Sequence, residues 1–255
     1  MKAAFRFYAE LNDFLSPERR HNRFVYEVQG KPAVKDCIEA LGVPYTEVDL
    51  ILVNGESVDF TYRLQEGDQV SVYPVFESVD IAALVRVRPA PLREVRFVLD
   101  THLGRLAGYL RMLGFDTVYR NDCNDEELAT ISSGEKRVLL TKDRGLLKRN
   151  LVTHGYCVRG THPREELVEI LRRFDLFRQV RPFTRCIRCN GLLESVSKAD
   201  VYDLLPPKVK EGYDTFHRCQ SCDQIYWKGT HYEHMQHFLE RVLGEAQNTN
   251  LEENA

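Results

Sequence analysis

Four cysteines in two matching spacings, Cys186-Ile-Arg-Cys189 and Cys219-Gln-Ser-Cys222, carry the plainest chemistry of this 255-residue sequence. Each Cys-x-x-Cys places two thiolates on a tight turn whose backbone amides can point at sulfur. Two such turns complete a tetrahedral all-sulfur site suited to Zn²⁺. Four protein ligands close the shell, so a metal there is structural, and iron in a rubredoxin-like site would use the same ligands. The 29 residues between the pairs exceed the usual ~15–20. The intervening segment, with Pro206-Pro207, is therefore expected to form an inserted loop or short helix. The other three of the seven cysteines, Cys37, Cys123 and Cys157, read as core or surface thiols rather than a disulfide framework.

A second chemistry rests on acids that follow short apolar runs. Arg96-Phe-Val-Leu-Asp100 reads as a strand ending on an acid, and 104–114 as an amphipathic helix closed by glycine. The strand Thr117–Tyr119 opens into Arg120-Asn-Asp-Cys-Asn-Asp-Glu-Glu, where Asn124 or Asp125 can cap a helix reaching about Ser133. A third strand ends at Asp143, followed at once by a helical start. Alternating strands and helices imply a parallel sheet with covering helices, and the carboxyl ends of such strands share one edge. Asp100, the Asp122/Asp125 loop and Asp143 are thus expected to converge. Clustered carboxylates repel unless a divalent cation lies between them. Mg²⁺ or Mn²⁺ would suit these oxygens and orient a water for attack on a phosphodiester, which is nuclease chemistry. An aspartate after a strand can equally be a helix cap, but three in corresponding places, the last flanked by Lys142 and Arg144, favour a metal site.

The elements that must position these groups fall into three parts. Residues 1–80 open with an alternation of Ala3, Phe5 and Phe7 against Ala4, Arg6 and Tyr8, the period of a half-buried strand, then a second strand at 23–28. A helix over 32–42, a strand into an Asn54-Gly55 turn and a final strand over 64–74 complete the order of a β-grasp fold. Residues 81–95 hold Pro89 and Pro91 without a clear period and read as a linker, in which Arg86, Arg88 and Arg93 form a basic cluster. The α/β part is expected over 96–180, the four-cysteine module over 181–242, and a polar, disordered tail over 243–255.

In the first part, VNGESVDF, LQEGDQV and VYPVF resemble the ThiS/MoaD-like ubiquitin-fold family. Carriers of that family end in an activated Gly-Gly, whereas this chain continues past Phe76, so the resemblance implies a binding or scaffolding domain with a protein partner and not carrier chemistry. Further on, FVLDTHLGRLAGYLRMLGFDT, YRNDCNDEELA, RVLLTKDRGLL, RCIRCNGLL and FHRCQSCDQIYWKGTHYEHM resemble the Mut-seven C-terminal RNase-like family, a branch of the PIN-like nucleases, over about residues 95–240. That resemblance implies a Mg²⁺-dependent RNase with Asp100, Asp125 and Asp143 as metal ligands and Asp122 and Glu126 next in line.

Arg105, Arg111, Lys142, Arg144 and Lys148 are candidate contacts to an RNA backbone. Tyr226-Trp227-Lys228-Gly-Thr-His231 mixes stacking surfaces with a cation and a titratable group, so Trp227, Lys228 and His231 are candidates to hold an unpaired base, although the sole tryptophan could equally pack on the cysteine module. His231, His234 and His237 recur every three residues and read as a solvated face. Net charge is −3, with residues 1–85 holding 8 Lys/Arg against 14 Asp/Glu and the rest 27 against 24. That balance decides no partner. No apolar run approaches the ~18 residues of a membrane helix, and Arg6, Glu10 and Asp13 interrupt any export core, so a cytoplasmic location is expected. The rival to a metal-dependent ribonuclease is a non-catalytic RNA- or protein-binding adaptor with structural acids. Oligomeric state has no sequence signal.

Overall fold

The alternation at the amino terminus buries Ala3, Phe5 and Phe7 on one face of the first strand. In the computed structural model, which describes residues 1–74, 87 and 95–252, this strand is β1 (Lys2–Phe7). It is followed by β2 (Phe24–Glu27), α1 (Val34–Ala40), β3 (Leu50–Val53), β4 (Glu56–Val58) and β5 (Gln69–Tyr73). The sheet order is β2-β1-β5-β3-β4, with β1 parallel to β5 and the other neighbours antiparallel. This is the expected β-grasp. Its core gathers Phe5, Phe7, Ile38, Ile51, Leu64 and Val72, each fully buried.

From residue 95 the chain alternates strand and helix: β6 (Phe97–Leu99), α2 (Gly104–Met112), β7 (Thr117–Tyr119), α3 (Asp125–Glu135), β8 (Val138–Thr141), α4 (Arg144–Leu147), β9 (Gly155–Cys157) and α5 (Pro163–Arg173). The pairs β6/β7 and β8/β9 are both parallel. Every residue of β6 and β8 is buried, as parallel strands with covered faces require. Helix α2 ends on a Schellman turn: Gly114 takes φ 94° and the Phe115 amide donates to the Leu110 carbonyl at 3.0 Å. A side chain at Gly114 would also place its Cβ 2.3 Å from the Arg181 carbonyl oxygen. Neither β9 nor α5 was read from sequence. Three residues are too few to show a period, and the start of α5 is marked chiefly by Pro163 in its first turn.

The chain divides into two compact units, residues 1–94 with 124–157, and residues 95–123 with 158–255. The α/β part expected over 96–180 contributes residues to each unit. Within the first unit, 124–157 is tied to the β-grasp by side chains distant in sequence. The Tyr45 hydroxyl donates to the Val152 carbonyl and to that of Arg149 at 3.3 Å. The amide of Cys157 donates to the buried Glu47 carboxylate. The expected linker, with its arginines, lies outside the described residues except for Val87 and Val95.

The second unit continues into β10 (Leu193–Val196), α6 (Lys198–Val201), α7 (Pro207–Gly212), β11 (Phe216–Cys219), β12 (Ile225–Trp227) and α8 (Thr230–Glu252). The three strands form an antiparallel sheet in the order β10-β11-β12. The two short helices are the expected insertion, and they bring Val201, Leu205 and Val209 onto Phe216. The tail expected to be disordered over 243–255 is a correction: α8 runs through to Glu252. Buried Leu239 and Val242 anchor this helix, and each further residue then adds a hydrogen bond to a turn already nucleated. Among the described residues no helix is long and apolar enough to cross a membrane.

Tyr45 offers a test of the first unit. Tyr45→Phe removes one buried donor shared by two carbonyls and should lower stability by about 1 kcal/mol in equilibrium urea unfolding. An unchanged midpoint would mean that the hydroxyl contributes nothing to holding 149–152.

Candidate functional site

The four cysteine sulfurs lie within 4.8 Å of one another, and among the described residues they are the one group of His, Cys, Asp or Glu ligands gathered closely enough for a metal. Sγ of Cys186 is 3.7 Å from that of Cys222, and Cys189 is 3.4 Å from Cys219. A tetrahedron with Zn–S bonds of about 2.3 Å has sulfur–sulfur edges of about 3.8 Å, so these sulfurs could hold one zinc ion with little adjustment. The two turns repeat each other. Asn190 and Asp223, each just after the second cysteine, take φ 73° and 59°, and their amides donate to the carbonyls of Cys186 and Cys219 at 2.9 and 3.1 Å.

Backbone amides converge on the sulfurs as well. Cys186 accepts from the amides of Cys189 and Arg188, Cys189 from Gly191, Cys219 from Ser221 and Cys222 from Gln224. A side chain at Gly191 would put Cβ 2.8 Å from the Cys219 sulfur and 2.5 Å from Ser221 Oγ, so this turn admits only glycine. Burial pushes the Cys186 thiol up, but the Tyr226 hydroxyl at 3.1 Å and the two amides outweigh it and bring it to about 7. Burial and the neighbouring sulfurs push Cys189 the other way. One thiolate is thus favoured while the next is opposed, and a bound divalent cation removes that opposition.

Arg111, expected on the RNA-facing surface, is a correction. Its side chain is buried at 5% exposure and donates to Thr117 O at 2.9 Å and to Ile187 O and Arg188 O at 3.0 Å each. It therefore ties β7 to the first cysteine turn. Asn190 reinforces the joint, accepting from the Thr117 amide at 2.9 Å and donating to Asp116 at 2.7 Å, while Arg185 pairs with Asp116 at 3.6 Å. The sequence carried a signal for this: Ala107, Leu110 and Arg111 occupy i, i+3 and i+4, the buried stripe of α2. An arginine in such a stripe is a buried partner of carbonyls more readily than a surface cation.

Each strand-end acid has a local role. Asp100, 5% exposed, accepts from the His102 amide at 2.7 Å and lies 3.2 Å from His102 Nδ1. Asp143 caps α4 by accepting from the Gly145 amide at 2.7 Å. Asn124, not Asp125, caps α3, in a reciprocal box with Glu127. That leaves Asp125 and Glu126 exposed on the first turn, with Arg149 3.7 Å from Asp125. Asp122 is exposed, and the Arg120 guanidinium that grips both its oxygens at 3.1 Å holds it below the usual carboxylate range.

The cationic candidates separate. Arg105 and Lys142 are exposed. Arg144 lies 4.8 Å over the Phe14 ring and donates to Asp13 O, and Lys148 donates to Glu39 O at 3.1 Å, so both serve the packing of the first unit. Trp227 packs against Val201, Leu205, Val209 and Phe216, while Lys228, His231, His234 and His237 are exposed.

Arg111→Met should cost about 3 kcal/mol in unfolding stability, because it strips the donor from carbonyls that stay buried. The same variant should lose most of the metal that wild type retains at one ion per chain after dialysis, read by elemental analysis. Full metal retention with native stability would show that the first cysteine turn holds its place without this guanidinium.

Family models of known proteins match two stretches of the chain: the Mut7-C RNAse domain over residues 95–239 and the Mut7-C ubiquitin domain over residues 1–80. No curated protein matches the chain. Among solved structures, SAMP1 from Haloferax volcanii is similar at 20% identity, covering 30% of this chain and 97% of that one with a TM-score of 0.25. The RNase-domain match takes in the cysteine turns, Arg111 and the acids together, and the chain belongs to the Mut7-C RNase domain family, with a Mut7-C ubiquitin-like domain at its amino terminus.

Proposed function

We propose that the protein is a ribonuclease that hydrolyses RNA phosphodiesters with the help of Mg²⁺ or Mn²⁺, the candidate ligands being Asp100, Asp125 and Asp143, with Asp122 and Glu126 next. The observation that carries this reading is the match of residues 95–239 to an RNase domain, in a chain whose acids follow successive strands. Carboxylate oxygens are the ligands a hard divalent ion takes. When bound, such an ion supplies an activated water and neutralises charge on the phosphate. The chain's own residues orient the ligands: the His102 amide holds Asp100, and the Gly145 amide holds Oδ1 of Asp143. Zinc in the four-cysteine ribbon is a structural partner of this chemistry, and the ubiquitin-like domain serves a protein partner in the cytoplasm.

The acids also have a plain structural use as helix caps, which favours as a second reading a non-catalytic adaptor that binds RNA or protein. One variant separates the two. Asparagine caps helices as well as aspartate does, so Asp143→Asn should keep the wild-type unfolding midpoint. As a ribonuclease the wild type should cut end-labelled single-stranded RNA when Mn²⁺ is added and not when it is omitted. The variant should then be slower by about 100-fold or more. Equal rates in the two proteins, or no metal-dependent cleavage by either, would leave the adaptor.

A further inference from the structure

A cavity of about 540 Å³ opens in the second unit between β12, the first turns of α8 and the segment 182–187 that leads into the first cysteine turn. Its volume falls in the range of small-ligand sites, about 300–1,000 Å³. Aromatic faces dominate the lining: Phe183, Tyr226, Trp227 and Tyr232. The Phe183 and Tyr232 rings meet at 4.4 Å between centroids with a 40° tilt. Phe183 is held at φ 59°, a left-handed conformation that is costly for a non-glycine residue, and its amide is pinned to the Met112 carbonyl at 2.9 Å. Trp227 is fixed from behind by the buried cluster of the insertion. These aromatic surfaces are set before any ligand arrives.

The charge of the lining has one sign. Lys228, with Nζ 5.9 Å from the Tyr232 ring centroid, supplies a cation, the Arg185 guanidinium being turned to Asp116 and the Gly114 and Asn190 carbonyls, while His217 and Gln224 add groups that can meet polar edges. No carboxylate lines the cavity among the described residues, in a chain whose 38 Asp/Glu outnumber its 35 Lys/Arg. The amino-terminal end of α8, a helix of 23 residues, also faces this region through His231 and Tyr232 and adds the positive end of its dipole. An aromatic slot bordered by positive charge and free of acids matches a planar heterocycle joined to a phosphate. An acidic or purely aliphatic ligand would leave either the stacking faces or the positive charge unused.

We infer that this cavity takes one unpaired nucleobase of a single-stranded RNA, stacked on the Trp227 and Tyr232 wall, with Lys228 and the α8 terminus meeting the adjoining phosphate. The inference deepens the RNA reading by assigning a base-holding pocket apart from the acids. Binding is scored without added Mg²⁺ or Mn²⁺, so a protein that fails to cut RNA can still bind the base, and one that fails to bind it can still cut.

Trp227 is the sole tryptophan and therefore its own reporter. The full-length protein with its metal retained is titrated with a single-stranded oligouridylate of about eight nucleotides and with an abasic strand of equal length and charge. The oligouridylate should quench the tryptophan emission saturably, and the abasic strand should bind about tenfold more weakly or worse. Tyr232→Ala should weaken oligouridylate binding by about tenfold. Lys228→Glu, a change at an exposed position that leaves the packing intact, should weaken it similarly and flatten its salt dependence. Unchanged emission with the oligouridylate, equal affinity for the two strands, or wild-type affinity in Lys228→Glu would each overturn the assignment.

Discussion

The guanidinium of Arg111 is buried where a charge costs several kcal/mol unless its donors are satisfied. It meets that requirement with carbonyls from two places, Thr117 on β7 and Ile187 and Arg188 in the first cysteine turn. The spacing of those carbonyls on one rigid planar fork sets where the cysteine turn sits relative to β7. Burial lowers the pKa of Arg111, and the Cys189 and Cys186 sulfurs act against that, while four thiolates around a divalent ion would carry a net charge of −2. The guanidinium would offset part of that negative charge. A strand near residue 117 and a turn near residue 187 become one body through this contact, with Asn190, Asp116 and Arg185 closing the joint around it.

The strand-end acids show how capping is shared out between residue types. At α3 the cap falls to Asn124 and Glu127, which releases Asp125 and Glu126 to face outward. At the other two strand ends no Asn or Ser stands in the cap position, and Asp100 and Asp143 take that role themselves. Capping does not exhaust a carboxylate: at Asp143 the Gly145 amide meets Oδ1.

What could be read from the sequence was whatever is encoded locally. The alternation of Ala3, Phe5 and Phe7, the glycine closing α2 and the two cysteine turns each announce themselves within a dozen residues, and each stands in the structure. Arg111 was misplaced because charge was given more weight than its position on a buried helical stripe. The grouping of 124–157 with the β-grasp depends on partners about a hundred residues apart, such as Tyr45 and Val152 or Lys148 and Glu39, which no local pattern encodes. The helical run of α8 into a polar tail reflects an anchor, at Leu239 and Val242, that lies before the segment it extends.

The long spacing between the cysteine pairs has a physical consequence of its own. Metal-held ribbons with short intervals have little apolar interior, but here α6 and α7 pack Val201, Leu205 and Val209 onto Phe216. Strand β12 then works with both faces. Its period of two turns Ile225 and Trp227 toward that cluster and leaves Tyr226 to reach Cys186 with its hydroxyl. The same three residues therefore join the apolar core to the metal ligands. A stacking surface must be rigid to be useful, since an aromatic side chain that has to be immobilised on binding gives back part of what stacking supplies. The insertion provides that rigidity for Trp227, and the contact with Cys186 provides it for Tyr226, so neighbouring residues of β12 are held by two separate parts of the module.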